Sequence, residues 1–306
     1  MPAEPDPEQL SALPTEQADP ATADIDRMSA LDIARAMNAA DATVAAAVAA
    51  ELPAIAAAIA AIAARLRRGG RLIYAGAGTS GRLGALDALE CAPTFNVAPE
   101  QVVGCIAGGT FALGQAAEDA EDDALAGAAD LERLGIGPRD VLVGITASGR
   151  TPYVLGAVAR ARQAQALTVG LACNAETPLA RQVAISIAPQ VGAEVIAGST
   201  RLKAGTAQKM VLNMLSTGVM IVLGKTYGNL MVDVVATNEK LRERALSIVR
   251  QAAGVERAAA VTLLDACDGE VKTAIVVART GLAPDRARER LAAHGGVLRA
   301  ALDAMR

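Results

Sequence analysis

Tryptophan is missing from this chain, and two phenylalanines and three tyrosines among 306 residues leave Phe, Trp and Tyr at 2%. Stacking on a nucleobase or a sugar face is therefore excluded as the main mode of recognition, and hydrogen bonds and charge must hold any ligand. Strong positive charge is missing too. The formal net charge is −4 and no basic run exceeds Arg67-Arg68, which argues against nucleic acid or an anionic membrane as partner. Cysteine is sparse: Cys91, Cys105, Cys173 and Cys267 are scattered, without a C-x-x-C pair or a nearby histidine. Neither a zinc site nor a disulfide framework is suggested, and reduced, mostly buried thiols are expected. No cluster of His, Cys or carboxylates has ligand spacing, so neither metal nor cofactor is expected. The first residues, MPAEPDPEQ, lack a charged region followed by an apolar one, so no secretory signal is expected and the cytoplasm is the expected compartment.

What is present is a hydrophobic share of 52%, ample for the core of one large or two modest domains. Residues 1–14 are acidic and proline-rich and read as a disordered tail. From Asp41 to Arg68 the chain is alanine-rich, with Val44, Val48, Leu52, Ile55, Ile59, Ile62 and Leu66 in one stripe along a long helix. Pro53 is placed to break or kink it. The opposite face carries mostly Ala with Glu51, Arg65 and Arg67, which argues against a membrane span.

The most informative stretch is Arg71 to Cys91, RLIYAGAGTSGRLGALDALEC. Leu72, Ile73 and Tyr74 make a short strand, Gly76, Gly78 and Gly81 allow a sharp turn, and Leu83, Leu86 and Leu89 resume at helical spacing. A helix beginning near Thr79 would present unpaired N–H groups at the carboxyl edge of a strand, a site suited to an anion. The glycines match G-x-G-x-x-G, so a dinucleotide site has to be weighed. Against it, the next strand, Gln101 to Ile106, runs into Ala107-Gly108-Gly109 without an acid for a ribose. The hydroxyls of Thr79 and Ser80 would also crowd a pyrophosphate, although they could donate to a monophosphate.

Strands and helices then alternate: 101–106, a helix around 112–134, Val141 to Ile145, a helix over 153–164, Leu167 to Leu171, Ala184 to Ala188, and a helix over 204–223. That order predicts an α/β fold, a doubly wound five-stranded parallel sheet flanked by helices. The polar turns at Thr79-Ser80 and at 148–151 are expected to converge at its carboxyl edge, near the switch in strand order. Beyond Thr237 the strand signal ends. The segments 239–253, 256–267, 270–279 and 284–304 predict a small all-helical domain. The expected organisation is a tail over 1–14, a helical segment over 15–61, the sheet domain over 62–225 and the helical domain over 237–306, with a linker near 224–236.

Thr79, Ser80, Ser148 and Thr151, with Gly78 and Gly149 shaping their turns, are the candidate phosphate and sugar contacts. Helix capping is the alternative use of the same hydroxyls. Ser199, Thr200, Arg201, Lys203 and Lys209 form a third polar cluster, which an ordinary solvated helix start would equally explain. Glu118 and Glu121 share a helical face and Glu90 follows about three turns into the first helix; surface charge is the plain explanation of all three. His294, before Gly295-Gly296, reads as a helix C-cap or as a residue reaching a site.

Read together, GAGTSGRLGALDALECAPTF (76–95), GGTFALGQAAEDAED (108–122), ASGRTPYV (147–154) and GSTRLKAGTAQKMVLNMLSTG (198–218) resemble the N-acetylmuramic acid 6-phosphate etherases, which have the sugar isomerase (SIS) fold. The match runs in order from about Thr15 to the C-terminus. Ala92 departs from it, standing where the family usually has a second proline, and removes no chemical group. The resemblance implies cleavage of the D-lactyl ether of N-acetylmuramate 6-phosphate to N-acetylglucosamine 6-phosphate and D-lactate, without a cofactor, in a homodimer. It assigns Glu90 as the acid that protonates the departing lactate and Glu121 as the second carboxylate, hence the base. In this fold histidines often open the pyranose ring, which keeps His294 among the candidates. Two other classes share the fold: an aldose–ketose isomerase, which would yield no lactate, and a non-catalytic sugar-phosphate sensor such as glucokinase regulatory protein, which would not need both glutamates.

Overall fold

The computed structural model describes residues 11–304 apart from 116, 235 and 237, and at Glu118 the backbone alone. The chain forms two compact units, Met1–Leu89 with Glu100–Ser216, and Glu90–Pro99 with Thr217–Arg306. The boundary thus falls inside a helix at Ser216, upstream of the expected linker, and the 90–99 segment belongs to the C-terminal unit.

In the first unit, helices α1 (Ala30–Asp41), α2 (Val44–Ala50) and α3 (Leu52–Leu66) lead into the sheet. The expected long helix is broken at Glu51, with Pro53 in the first turn of α3, where its missing N–H costs nothing. Val44, Val48, Ile55, Ile62 and Leu66 of the stripe are buried, whereas Leu52 is exposed. Among the described residues no single helix is long and apolar enough to cross a membrane; one helix pair, Ala30–Ala50 with Leu52–Leu66, passes that test on length and composition but is bent by 60°.

Strands β1 (Leu72–Gly76), β2 (Val102–Ile106), β3 (Val141–Ile145), β4 (Leu167–Leu171) and β5 (Ile185–Ile187) are all parallel, in the order β2-β1-β3-β4-β5. The order reverses between β1 and β3, which end together with Gly76 opposite Ile145. Helices α4 (Gly78–Phe95), α5 (Ala124–Arg133) and α6 (Pro152–Gln163) make the crossovers up to β4, and α7 (Lys203–Val222) follows β5. Ile73, Leu142, Leu131, Tyr153, Val154 and Val158 pack in one of the cores, as expected of near-continuous apolar strands covered on their faces. At the amino edge, Arg71 clamps Asp140 through Nη2–Oδ2 at 2.7 Å and Nε–Oδ1 at 3.2 Å, tying the starts of β1 and β3. Burial alone would raise the Asp140 carboxyl, but hydrogen bonds from the Arg71 side chain, Gly137 N and Arg71 N outweigh it and hold it below its ordinary range.

The helix expected over 112–134 is shorter than its pattern. Residues Gly109–Leu113 and Glu118–Asp122 form 3₁₀ turns, and α5 begins only after Asp123, whose side chain accepts from Ala126 N at 2.9 Å. An N-cap aspartate fixes that start better than the propensity of the alanines before it. Of the expected tail over 1–14, residues 1–10 lie outside the described residues and Leu13 is buried, as is Thr15 just beyond it.

In the second unit, α8 (Glu239–Ala253), α9 (Arg257–Ala266), α10 (Val271–Thr280), α11 (Pro284–Ala293) and α12 (Leu298–Asp303) pack around Ile248, Val249, Ile275 and Leu298. The helix expected over 284–304 is split because Gly295 and Gly296 take φ of 63° and 74°. The expected linker is packed: Val232 and Val234 enter this core, and Asp233 is paired with Lys225 and Lys272 at 3.3 and 2.6 Å.

Candidate active site

The first glycine motif is explained by close approach of strand and helix. A Cβ on Gly81 would stand 2.6 Å from Gly76 O, and one on Gly76 would stand 2.8 Å from Gly81 N. Gly78 turns the chain with φ of 52°. The first turn of α4 therefore starts at the carboxyl end of β1 with Thr79 half-buried and Ser80 8% exposed. The Ser80 hydroxyl donates to Gln208 Oε1 at 2.9 Å.

The second turn follows β3. Thr146, 3% exposed and absent from the expected set, holds Thr151 Oγ1 at 2.8 Å and Ser148 Oγ at 3.3 Å. Ser148 Oγ also accepts from Arg150 N at 3.2 Å. Thr151 occupies the N-cap position of α6 without a side-chain cap bond, because its hydroxyl is engaged with Thr146 instead. The capping alternative therefore fails at Thr151, and the N-terminal N–H groups of α6 keep their outward potential. Gly149 has φ of 72° and packs on Thr177 so closely that a Cβ would lie 2.4 Å away. The two turns belong to adjacent strands on either side of the order reversal, as the pattern of elements predicts.

Asn174 closes the same edge after β4. Its Nδ2 donates to Ala147 O and to Thr15 Oγ1, both at 3.0 Å, so the N-terminal segment is bound to the loop that carries Ser148.

The third cluster is built differently. Glu194, fully buried, accepts from Lys203 N at 3.0 Å and Ala204 N at 2.9 Å, so its carboxylate occupies the N-terminus of α7. Lys203 itself is 7% exposed and its ammonium donates to Val191 O at 2.8 Å. Its observed contacts hold the 191–203 loop in place, and Arg201 and Lys209 are the exposed cations of the cluster. Ser199 and Thr200 are half-buried just before α7.

Between β1, α4 and α7 lies Asp87, which accepts from Tyr74 Oη at 2.8 Å, Asn213 Nδ2 at 2.7 Å and Ser216 Oγ at 3.0 Å. Burial pushes its carboxyl above the ordinary range, against the lowering effect of those three bonds and of Lys209.

The carboxylates and the histidine fall as follows. Glu90 is exposed on α4, one turn beyond Asp87, and Glu121 is exposed in the 3₁₀ turn that precedes α5. The side chain of Glu118 lies outside the described residues. His294 is the C-cap residue of α11, and its Nδ1 donates to Arg290 O at 2.8 Å, as required when the partner is a carbonyl. Among the described residues no group of three His, Cys, Asp or Glu is arranged to hold a metal ion.

Thr146, Asp87, Gln208 and Glu194 are polar residues that sequence reasoning missed, and Gln208 had a signal. It interrupts the buried stripe of Ala204, Ala207, Val211, Leu212 and Leu215, and a polar side chain at a core position needs a partner.

Family models match at two places: the glucokinase regulatory protein N-terminal SIS domain over residues 54–162 and the SIS domain over 125–218. Over 295 residues the chain is 57% identical to an N-acetylmuramic acid 6-phosphate etherase of Rubrobacter xylanophilus, covering 96% of this chain and 97% of that one. This chain belongs to the N-acetylmuramic acid 6-phosphate etherase family. Other etherases agree: one from Streptomyces coelicolor is 57% identical, covering 97% of this chain and 95% of its own. One from Salmonella agona is 54% identical, covering 96% and 99%. Etherase relatives thus match across both units, whereas the glucokinase regulatory protein model ends at residue 162.

Proposed function

We infer that the protein cleaves the D-lactyl ether of N-acetylmuramic acid 6-phosphate, a carbon–oxygen lyase reaction that yields N-acetylglucosamine 6-phosphate and D-lactate. The observation that carries this is the identity of 57% to a named etherase across 96% of the chain. The hydroxyl-rich turns at the switch in strand order support a phosphorylated, strongly hydrogen-bonding ligand.

In the open-chain sugar the C1 aldehyde acidifies the C2 proton. Glu121 takes that proton, the C3–O bond breaks with its electron pair going to the lactate oxygen, and Glu90 protonates that oxygen. Water then adds at C3 of the unsaturated aldehyde, with the proton returned to C2. Each positioned acid or base supplies roughly a hundred- to ten-thousandfold. These roles rest on the family resemblance, together with the placement of the phosphate on the turns holding Gly78, Thr79, Ser80, Ser148, Gly149 and Thr151. Ser199 and Lys203 remain proposed substrate contacts, and His294 a proposed ring-opening residue.

The protein is proposed to act as a homodimer. Helix α1 supports this, because none of its residues is buried while Leu31 and Met37 are exposed. Four cysteines present as thiols, three of them buried, fit the reducing cytoplasm. The test is an enzymatic D-lactate assay on purified protein with N-acetylmuramic acid 6-phosphate, before and after dialysis against a strong chelator. Equal lactate release in both supports the reading. Interconversion of aldose and ketose without lactate would mark an isomerase, and binding without turnover a sensor.

A further inference from the structure

Gln208 is 1% exposed, and its Nε2 is buried without a hydrogen-bond partner. Nothing about its helix requires an amide there, since the neighbouring positions of the stripe are Ala, Val and Leu. An unpaired N–H in the interior is costly, and a leucine would remove the cost. The other end of the amide is engaged: Oε1 accepts the proton of Ser80 Oγ at 2.9 Å, joining residues 128 apart in sequence. Ser80 is the third residue of α4, in the turn whose N–H groups have no acceptor within the helix. Gly205 packs beside the same turn, its Cβ position 3.6 Å from Thr79 Cγ2. The proton that Ser80 would give to an anion is therefore turned away from it, and the donor that could replace that bond is left unused beside it.

We propose that Ser80 and Gln208 form a two-position hydrogen-bond relay for the phosphate of the substrate, with Gln208 as the positioning residue; this rests on the sugar-phosphate reading above. In one position, the one in this structure, Ser80 O–H donates to Oε1. In the other, Ser80 O–H donates to a phosphate oxygen at the first turn of α4, and the Gln208 amide rotates by half a turn so that Nε2–H donates to Ser80 Oγ. No proton changes owner. The amide keeps one bond to Ser80 in either position, Oε1 giving up the hydroxyl as Nε2 gains it, and the serine gains a charge-assisted bond to the phosphate. A glutamate could not make this exchange, because an ionised carboxylate only accepts and would keep the hydroxyl while repelling the anion.

The test uses the full chain with Gln208→Leu, Gln208→Glu, Ser80→Ala and the double variant Ser80→Ala/Gln208→Leu. Binding of N-acetylglucosamine 6-phosphate is measured by calorimetry, with inorganic phosphate and unphosphorylated N-acetylglucosamine as further probes, and lactate release is followed in parallel. Gln208→Leu should weaken both phosphate-bearing probes about tenfold, because nothing then orients the Ser80 hydroxyl toward the anion, and raise KM with kcat unchanged. Gln208→Glu should weaken them by more than Gln208→Leu does. The double variant should bind within about twofold of Ser80→Ala, because the amide acts through the hydroxyl. A Gln208→Leu loss that multiplies unchanged onto Ser80→Ala, or wild-type binding by Gln208→Glu, overturns the relay. If Gln208→Glu fails to fold, the cycle with Gln208→Leu decides. Coupled phosphate binding without lactate release would sink the etherase reading alone, and lactate release without coupling would sink the relay alone.

Discussion

Two carboxylates set the expected chemistry at the residue scale. If Glu121 removes the C2 proton and Glu90 only assists the departing oxygen, Glu90→Gln should stop lactate release while leaving the first proton transfer intact. In deuterated water that variant should still exchange the C2 hydrogen, and Glu121→Gln should do neither. C2 deuterium by NMR beside lactate yield separates the two roles, and the opposite pattern reverses them. A third acid, Asp87, makes its prediction through stability. Its folded carboxyl lies above the ordinary 3.8 because of burial, so between those values the native protein binds more protons than the unfolded one. The contribution of this group is greatest below 3.8 and is lost as pH rises through the raised value. Asp87→Asn should therefore gain on the wild type across that window in urea midpoints, and a difference that does not vary with pH would count against the assignment. Glu90 and Glu121 were legible only through resemblance, since in the sequence each reads as an ordinary surface glutamate. Thr146 and Gln208 were not singled out, because their partners, Ser148, Thr151 and Ser80, are chosen by the sheet.

At the scale of elements, the unit formed by β1, its glycine turn and α4 is closely packed at the switch point. Gly81→Ala would put a methyl 2.6 Å from Gly76 O and 2.7 Å from Ile106 Cγ1. Neither backbone nor strand can yield that much, so the substitution should cost at least the ~1–3 kcal/mol typical of overpacking and shift the first turn of α4. A lower melting temperature with a raised KM for the phosphorylated substrate is the expected result; an unchanged KM would show that this turn does not hold the phosphate. Helix ends were read less well than helix bodies. The alanines around 112–134 suit a helix everywhere, and the start is set by Asp123 and by the 3₁₀ turns before it. The same holds at Gly295-Gly296, where two left-handed residues end α11 inside a pattern that reads as one helix.

The whole molecule carries the prediction of assembly. A twelve-residue helix without a fully buried residue leaves Leu31 and Met37 exposed in the monomer, so α1 has reason to meet a second copy. Sedimentation should show one species near twice 31.0 kDa, and Leu31→Lys with Met37→Lys should shift it toward half that mass. A fully active monomer would remove the proposal.

The sequence by itself determined the parallel sheet, because five short apolar runs separated by helix-length segments admit few other arrangements, and each run became a strand within two residues of its expected ends. It also determined the glycine turn, since Gly76 and Gly81 leave no room for a side chain and Gly78 takes a left-handed φ of 52°. Only the tertiary structure decided which partner each hydroxyl and each buried charge takes. Thr146 takes the Thr151 hydroxyl, Glu194 takes the start of α7, and Lys203 turns inward to Val191 O. The physical reason is that a buried polar group must find a partner, and in this fold the partners come from strands and loops brought together by the sheet, up to 159 residues apart for Asn174 and Thr15.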